Sequence, residues 1–195
     1  MYVLSGGYKE FYSKFHFMSS SLNIRSTVDR NKYLTIYPNC VIENQIYIGS
    51  AIQAKNWKII RELNITHIIN ASFEHECVFK DEVKYLHMEV EDSYDEKINK
   101  TFKTALEFMR NAFDEYQEKL RSHQATDGKS LKPPIFLIHC NLGISRSSSV
   151  LIAYLICKYR LCLYAAFKYL KDKRLQIAPN YSFLRQLKQF EENLG

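Results

Sequence analysis

The stretch from Ile135 to Tyr159 constrains the fold more than any other: a short apolar run, a tight loop and an apolar helical pattern follow without a break. Ile135-Phe136-Leu137-Ile138 is apolar on both alternating faces, so it reads as a strand covered on both sides. The polar stretch 121–134, ending in Pro133-Pro134, reads as the loop before it, and a helix is expected from about Arg146 to about Tyr159. A strand buried on both faces needs helices above and below its sheet.

The flanking sequence supplies them. Val41-Ile42 and Ile46-Tyr47-Ile48 around Glu43-Asn44-Gln45 suggest a hairpin. Ser50 can cap a helix carrying Ala54, Trp57, Ile60 and Leu63, and His67-Ile68-Ile69 is a short strand. Leu86, Met88 and Val90 alternate with His87 and Glu89 on another, with Asp92 just past its end. Apolar residues from Ile98 to Leu120 recur at three- and four-residue steps, the stripe of a long packed helix. Two further helices carry Leu163, Ala166, Phe167 and Leu170, then Phe183, Leu184, Leu187 and Phe190, with Pro179 suited to the first turn of the last. The expected class is therefore α/β, a mixed central sheet flanked by helices. Residues 1–30 differ: an aromatic-rich piece, Tyr8 to Phe17, is followed by the polar linker opened by Ser19-Ser20-Ser21, and they read as an N-terminal extension to a main domain at 31–195.

Composition narrows the classes. The 195 residues are 46% hydrophobic and 25% charged, the balance of a globular chain. No apolar run approaches the roughly 20 residues that span a bilayer, and the start is unlike a secretory signal. Five cysteines, an odd count without a regular framework, fit a reduced protein, cytoplasmic or also nuclear. His75, Cys77 and His123 lack paired ligand spacing, so no metal is expected. The net charge of +6 favours acidic partners, phosphorylated ones among them. No nucleic-acid motif accompanies that charge, and the basic residues Lys158, Arg160, Lys168, Lys171, Lys173, Arg174, Arg185 and Lys188 read as a solvated helix face.

Chemistry concentrates where the buried strand gives way to the helix, at Ile138-His139-Cys140-Asn141-Leu142-Gly143-Ile144-Ser145-Arg146-Ser147-Ser148. A loop from Cys140 to Arg146 can curl its backbone N–H groups around an anion at the helix start, and Gly143 permits the close turn. Arg146 adds a planar fork for two phosphate oxygens. Helix terminus and arginine both favour the thiolate of a cysteine at the mouth, which can attack phosphorus without a separate base. The hydroxyl-rich run Ser145 to Ser149 lacks the Gly-x-Ser-x-Gly elbow of a serine hydrolase.

That string resembles the His-Cys-x5-Arg-Ser phosphate loop of the cysteine-dependent phosphatases, and Ser145 and Ser147 around the arginine resemble the dual-specificity branch. Ile46 to Ala51, Ile65 to Asn70, Ala153-Tyr154-Leu155 and Arg174 to Asn180 also look like that family, although Leu175 stands where it commonly has proline. The resemblance implies a three-layer fold and a cofactor-free, two-step hydrolysis of phosphoproteins at phosphotyrosine, phosphoserine and phosphothreonine. Cys140 would be the nucleophile and Arg146 the phosphate grip, with Asn141, Leu142, Gly143, Ile144 and Ser145 lining the loop. Asp92 would be general acid and then base, with Glu89, Glu91 and Asp95 as competitors. Ser147 would stabilise the departing thiolate, and His139 and Asn180 would brace the loop. Some relatives protect the nucleophile with a disulfide, and here Cys77 or Cys40 would be the partner of Cys140, while Cys157 and Cys162 read as core residues. Leu4 to Phe11 resembles the edge of the rhodanese-like domain of MAP-kinase phosphatases, which brings MAP-kinase-like substrates into view. Two other readings stay open: a phosphoprotein-binding module with weak catalysis, and a phosphatase for lipid or RNA.

Overall fold

The computed structural model describes residues 35–123 and 131–194, and those from Tyr37 onward form one compact unit. The readings placed on residues 1–30 and on the Ser19 linker lie outside the described residues. Five strands form one sheet: β1 (Asn39–Ile42), β2 (Ile46–Ser50), β3 (His67–Ala71), β4 (Lys84–Met88) and β5 (Phe136–Cys140). Their spatial order is β1-β2-β5-β3-β4, with β1 antiparallel to β2 and every other pair parallel. The hairpin turns at Asn44, whose φ of 55° is one that asparagine tolerates.

Side-chain alternation explains the three layers. Phe136 and Ile138 of β5, Ile69 and Ala71 of β3, and Ile46 and Ile48 of β2 enter one core. The intervening Leu137 and Ile68 enter a second, smaller core with Ala54, Ile60, Ile65 and Val83. The larger core is roofed by α3 (Asn99–His123), α4 (Arg146–Tyr159), α5 (Leu163–Lys173) and α6 (Tyr181–Leu194). The smaller is covered by α1 (Ala51–Ala54) and α2 (Trp57–Glu62). Helix α4 lies innermost, buried continuously from Arg146 to Ile156. That depth follows from its sequence, which has no charge between Arg146 and Lys158.

Three local expectations change. The helix expected from Ser50 through Leu63 is two: Ser50 and Gln53 form a capping box on α1, then Asn56 restarts the chain by accepting from the Lys58 N–H. An asparagine that caps its own backbone competes with helix continuation, and here it wins. Pro179 precedes α6 instead of opening it, because Asn180 takes the cap and accepts from the Phe183 N–H at 2.9 Å. The strand bearing Met88 ends there, so Val90 and Asp92 belong to the following loop.

Candidate active site

All parallel strands of the sheet end on one side, so the segments after β3, β4 and β5 converge there. Such carboxyl ends are the usual ligand face of parallel sheets. Cys140 closes the central strand and is 2% exposed. The loop beyond it turns its carbonyls outward, and each finds a donor behind it. Asn141 O accepts from the Ala51 N–H at 2.9 Å and Ile144 O from the Ala178 N–H at 2.9 Å. Leu142 O and Gly143 O accept from Arg174 Nη2 and Nε, each at 2.9 Å. Ser145 O accepts from the hydroxyls of Ser148 and Ser149, both at 2.8 Å. A peptide plane that points its carbonyl out points its N–H in, so this pattern builds an inward-facing ring of amides at the start of α4. Gly143 makes the curl possible: its φ is 73°, and a Cβ there would fall 2.3 Å from Gly49 O.

The side chains complete the site. Ser147 Oγ lies 3.3 Å from Cys140 Sγ. His139, buried beside it, directs Nδ1 at Cys140 O across 3.2 Å, and burial lowers its pKa to about 4. Ser145 donates to Asp92 Oδ1 at 2.8 Å, and Asn180 Nδ2 donates to the same oxygen at 2.9 Å. The backbone N–H of Asn180 also donates to Ser145 Oγ at 3.2 Å. The segment bearing Asp92 is tied further by Gln186, which donates to Glu96 O at 2.8 Å, and by the Glu91 N–H on Glu96 Oε2 at 3.1 Å.

Arg146 is 5% exposed and carries an ion pair that its sequence does not announce. Its Nη1 and Nη2 donate to the two carboxylate oxygens of Glu74 at 2.6 and 2.5 Å, and Nη1 also donates to Val90 O at 3.0 Å. Burial works against the Arg146 charge, but the Glu74 hydrogen bonds and the neighbouring Cys140 and Asp92 raise its pKa on balance. The same hydrogen bonds hold Glu74 down to about 2. Arg146 Nε, 4.0 Å from Asp92 Oδ2, is buried with no hydrogen-bond partner.

The structure thus gathers Cys140, Arg146, Asp92, Ser145, Ser147, His139 and Asn180 around one loop, with Asn141, Leu142, Gly143 and Ile144 forming its wall. Of the competing acids, Glu89, Glu91 and Asp95 make no such contact with the loop among the described residues. Two participants were missed. Glu74 follows a strand end with no motif around it, and its only signal is its place after a parallel strand. Arg174, a surface charge by its sequence pattern, is 4% exposed and braces two loop carbonyls while Nη1 donates to Asn39 Oδ1 at 2.6 Å. Two cysteine readings also change: Cys162 is exposed at the start of α5 and Cys157 is half-buried, so neither is a core residue. All five cysteines are free thiols.

A central cysteine on an amide-lined loop, with a buried arginine and a bridged aspartate, is the site of a phosphate-handling protein. Residues 46–193 match the family described as "Dual specificity phosphatase, catalytic domain", and the chain belongs to that family. Among its relatives is a Dictyostelium discoideum protein named "Probable rhodanese domain-containing dual specificity protein phosphatase", 28% identical over 193 residues, covering 98% of this chain and 37% of that protein. Human dual specificity protein phosphatase 4 is 32% identical over 149 residues, covering 76% of this chain and 34% of its own length. The chain therefore spans little more than a third of these curated relatives. The crystal structure of human DUSP28 superposes with a TM-score of 0.67 at 25% identity, covering 83% of this chain and 97% of that one.

Proposed function

We propose that this chain hydrolyses phosphorylated tyrosine, serine and threonine in proteins through a phosphocysteine intermediate. The observation that carries the reading is Cys140 Sγ at the base of a loop whose carbonyls are all held outward, beside Arg146 and Asp92. Cys140 Sγ attacks phosphorus, and the leaving oxygen takes a proton from Asp92 as its bond to phosphorus breaks. Water then attacks the phosphocysteine, giving its proton back to Asp92, and the thiolate departs toward the Ser147 hydroxyl. Amides and Arg146 carry the phosphoryl charge throughout, so the chemistry calls on no group outside the chain.

A polypeptide substrate suits the rim. Phe73, Tyr94, Leu142 and Tyr181 are large, exposed and each within two residues of a group named above. The loop residues Asn141, Leu142 and Ile144 are uncharged, which favours protein over lipid or RNA phosphate. MAP-kinase-like substrates are the proposed targets, by resemblance to the MAP-kinase phosphatases. The alignment of 193 residues with a relative named for its rhodanese domain supports reading the N-terminal stretch as that domain's edge.

The test is hydrolysis of a small aryl phosphate in the presence of a metal chelator. Wild type should turn over and Cys140→Ser should not, with the fold intact by circular dichroism. Turnover by Cys140→Ser, or a strict requirement for divalent metal, sinks the mechanism. On phosphopeptides, Tyr94→Ser and Tyr181→Ser should raise KM several-fold, while kcat/KM for the small aryl ester stays within about twofold.

A further inference from the structure

The five N–H bonds of Arg146 can be assigned one by one. Nη1 uses its two on Glu74 and on Val90 O. Nη2 uses one on Glu74. What remains is the second Nη2 hydrogen and Nε–H, which lie side by side on one edge of the guanidinium. Nε is buried and without a partner, 4.0 Å from Asp92 Oδ2. Two parallel N–H bonds on one edge are what two phosphate oxygens require.

The segment that carries Glu74 is held from several sides. Asn70 Nδ2 donates to His75 O at 2.5 Å, and the Ser72 hydroxyl donates to Asn70 Oδ1. The Phe73 N–H donates to Val90 O at 3.1 Å, the same carbonyl that receives Arg146. His75 Nε2 meets the Asn141 side chain of the phosphate loop at 3.0 Å. The segment after β3 is thus built to present one carboxylate at one place.

We propose that Glu74 is a positioning residue: it clamps the terminal edge of Arg146 so that the Nε edge is fixed toward the phosphoryl group. A buried guanidinium without that clamp can rotate toward Asp92, whose Oδ2 already lies 4.0 Å from Nε. It would then lose its alignment and tie up the acid. Because Glu74 uses the opposite edge, it does not compete with phosphate for Arg146. The proposal rests on the phosphatase reading for its kinetic arm only.

The experiment compares wild type, Glu74→Gln, Arg146→Lys, the double variant and Glu76→Gln, an exposed carboxylate two residues on. The readouts are aryl phosphate hydrolysis, orthovanadate affinity by calorimetry, and Tm. A glutamine offers one acceptor and places a donor against Nη2, so the clamp fails while side-chain size is kept. Glu74→Gln should lower kcat by about ten- to a hundredfold and weaken orthovanadate by a similar factor, with KM nearly unchanged. Glu76→Gln should match wild type. In the Arg146→Lys background, Glu74→Gln should add less than about twofold, since its effect runs through the guanidinium. Unchanged kcat, tighter orthovanadate binding or full additivity with Arg146→Lys would each overturn the proposal. If the wild-type chain shows no turnover, the phosphatase reading fails separately, and orthovanadate affinity still decides the role of Glu74.

Discussion

Asp92 presents two oxygens in different circumstances. Oδ1 accepts from Ser145 Oγ and from Asn180 Nδ2. The Asn180 orientation is fixed by its own cap, since Oδ1 of Asn180 accepts from the Phe183 N–H. Two donors already occupy Asp92 Oδ1, which leaves Oδ2, 4.0 Å from Arg146 Nε, as the oxygen for the proton that the proposed mechanism transfers. Asp92→Asn keeps an acceptor at the Oδ1 position and deletes that proton, so the loop should persist while proton donation is lost. The expected fall in kcat is about 10²–10⁴-fold for an alkyl phosphate and distinctly smaller for an activated aryl ester, measured as a leaving-group series. A uniform loss across the series would make Asp92 structural. Cys140 and Arg146 stand in one local string whose chemistry the sequence suggests, and resemblance to the family singles out Asp92 from its neighbours. Neither reached Glu74, whose partner is 72 residues away and whose neighbours are ordinary.

Among the elements, the short connection between α5 and α6 does more than join helices. Arg174 ends α5, Ala178 donates to Ile144 O, and Asn180 caps α6 while bridging Asp92. One segment therefore braces both the loop after Cys140 and the Asp92 carboxylate. Helical periodicity revealed α5 and α6, but it could not separate Arg174 from Lys168, Lys171 and Lys173. What buries Arg174 is a pair of carbonyls more than 30 residues earlier, and a charge is buried only where such acceptors await it. The same limit explains the break at Asn56, where capping competed with a continuous apolar stripe and local chemistry prevailed. Arg174→Lys tests the fork against mere charge. A lysine cannot reach Asn39, Leu142 and Gly143 together, so buried acceptors go unmet. Stability by urea unfolding should fall by about 1–3 kcal/mol, and orthovanadate should bind more weakly. Lys173→Arg, on an exposed neighbour that lies over Tyr169, should change stability by no more than about 0.5 kcal/mol. Equal stability of the two variants would remove Arg174 from the brace.

At the scale of the whole molecule, the central strands carry a buried histidine at each end. His67 opens β3, 8% exposed and packed against Phe108 and Phe136; His139 stands near the end of β5, 2% exposed. The strand pattern covers His67, whereas His139 lies one residue past the strand expected at Ile135 to Ile138, and a sequence does not give the free energy of a proton at either. Burial lowers each pKa from 6.5 to about 4, with Lys84 adding to the effect at His67. The unfolded chain therefore binds protons at these sites in a range where the folded chain does not. A histidine with a depressed folded pKa contributes stability above about pH 6.5, and that contribution is lost as pH falls toward 4. Glu74 follows the same sign in a lower window, since its pKa falls from 4.5 to about 2, so it is silent between pH 7 and 5. Urea unfolding of the 195-residue chain at pH 7, 6 and 5 should show stability falling by about 2 kcal/mol per histidine at pH 5. His67→Phe keeps an aromatic ring beside Phe136 and removes one titration, so it should flatten the slope by roughly half. His139 adjoins Cys140, so binding of orthovanadate should weaken over the range in which protonation begins to unsettle that strand end. A stability curve that is flat from pH 7 to 5, or a slope that His67→Phe leaves unchanged, would show that these histidines are not held neutral by the fold.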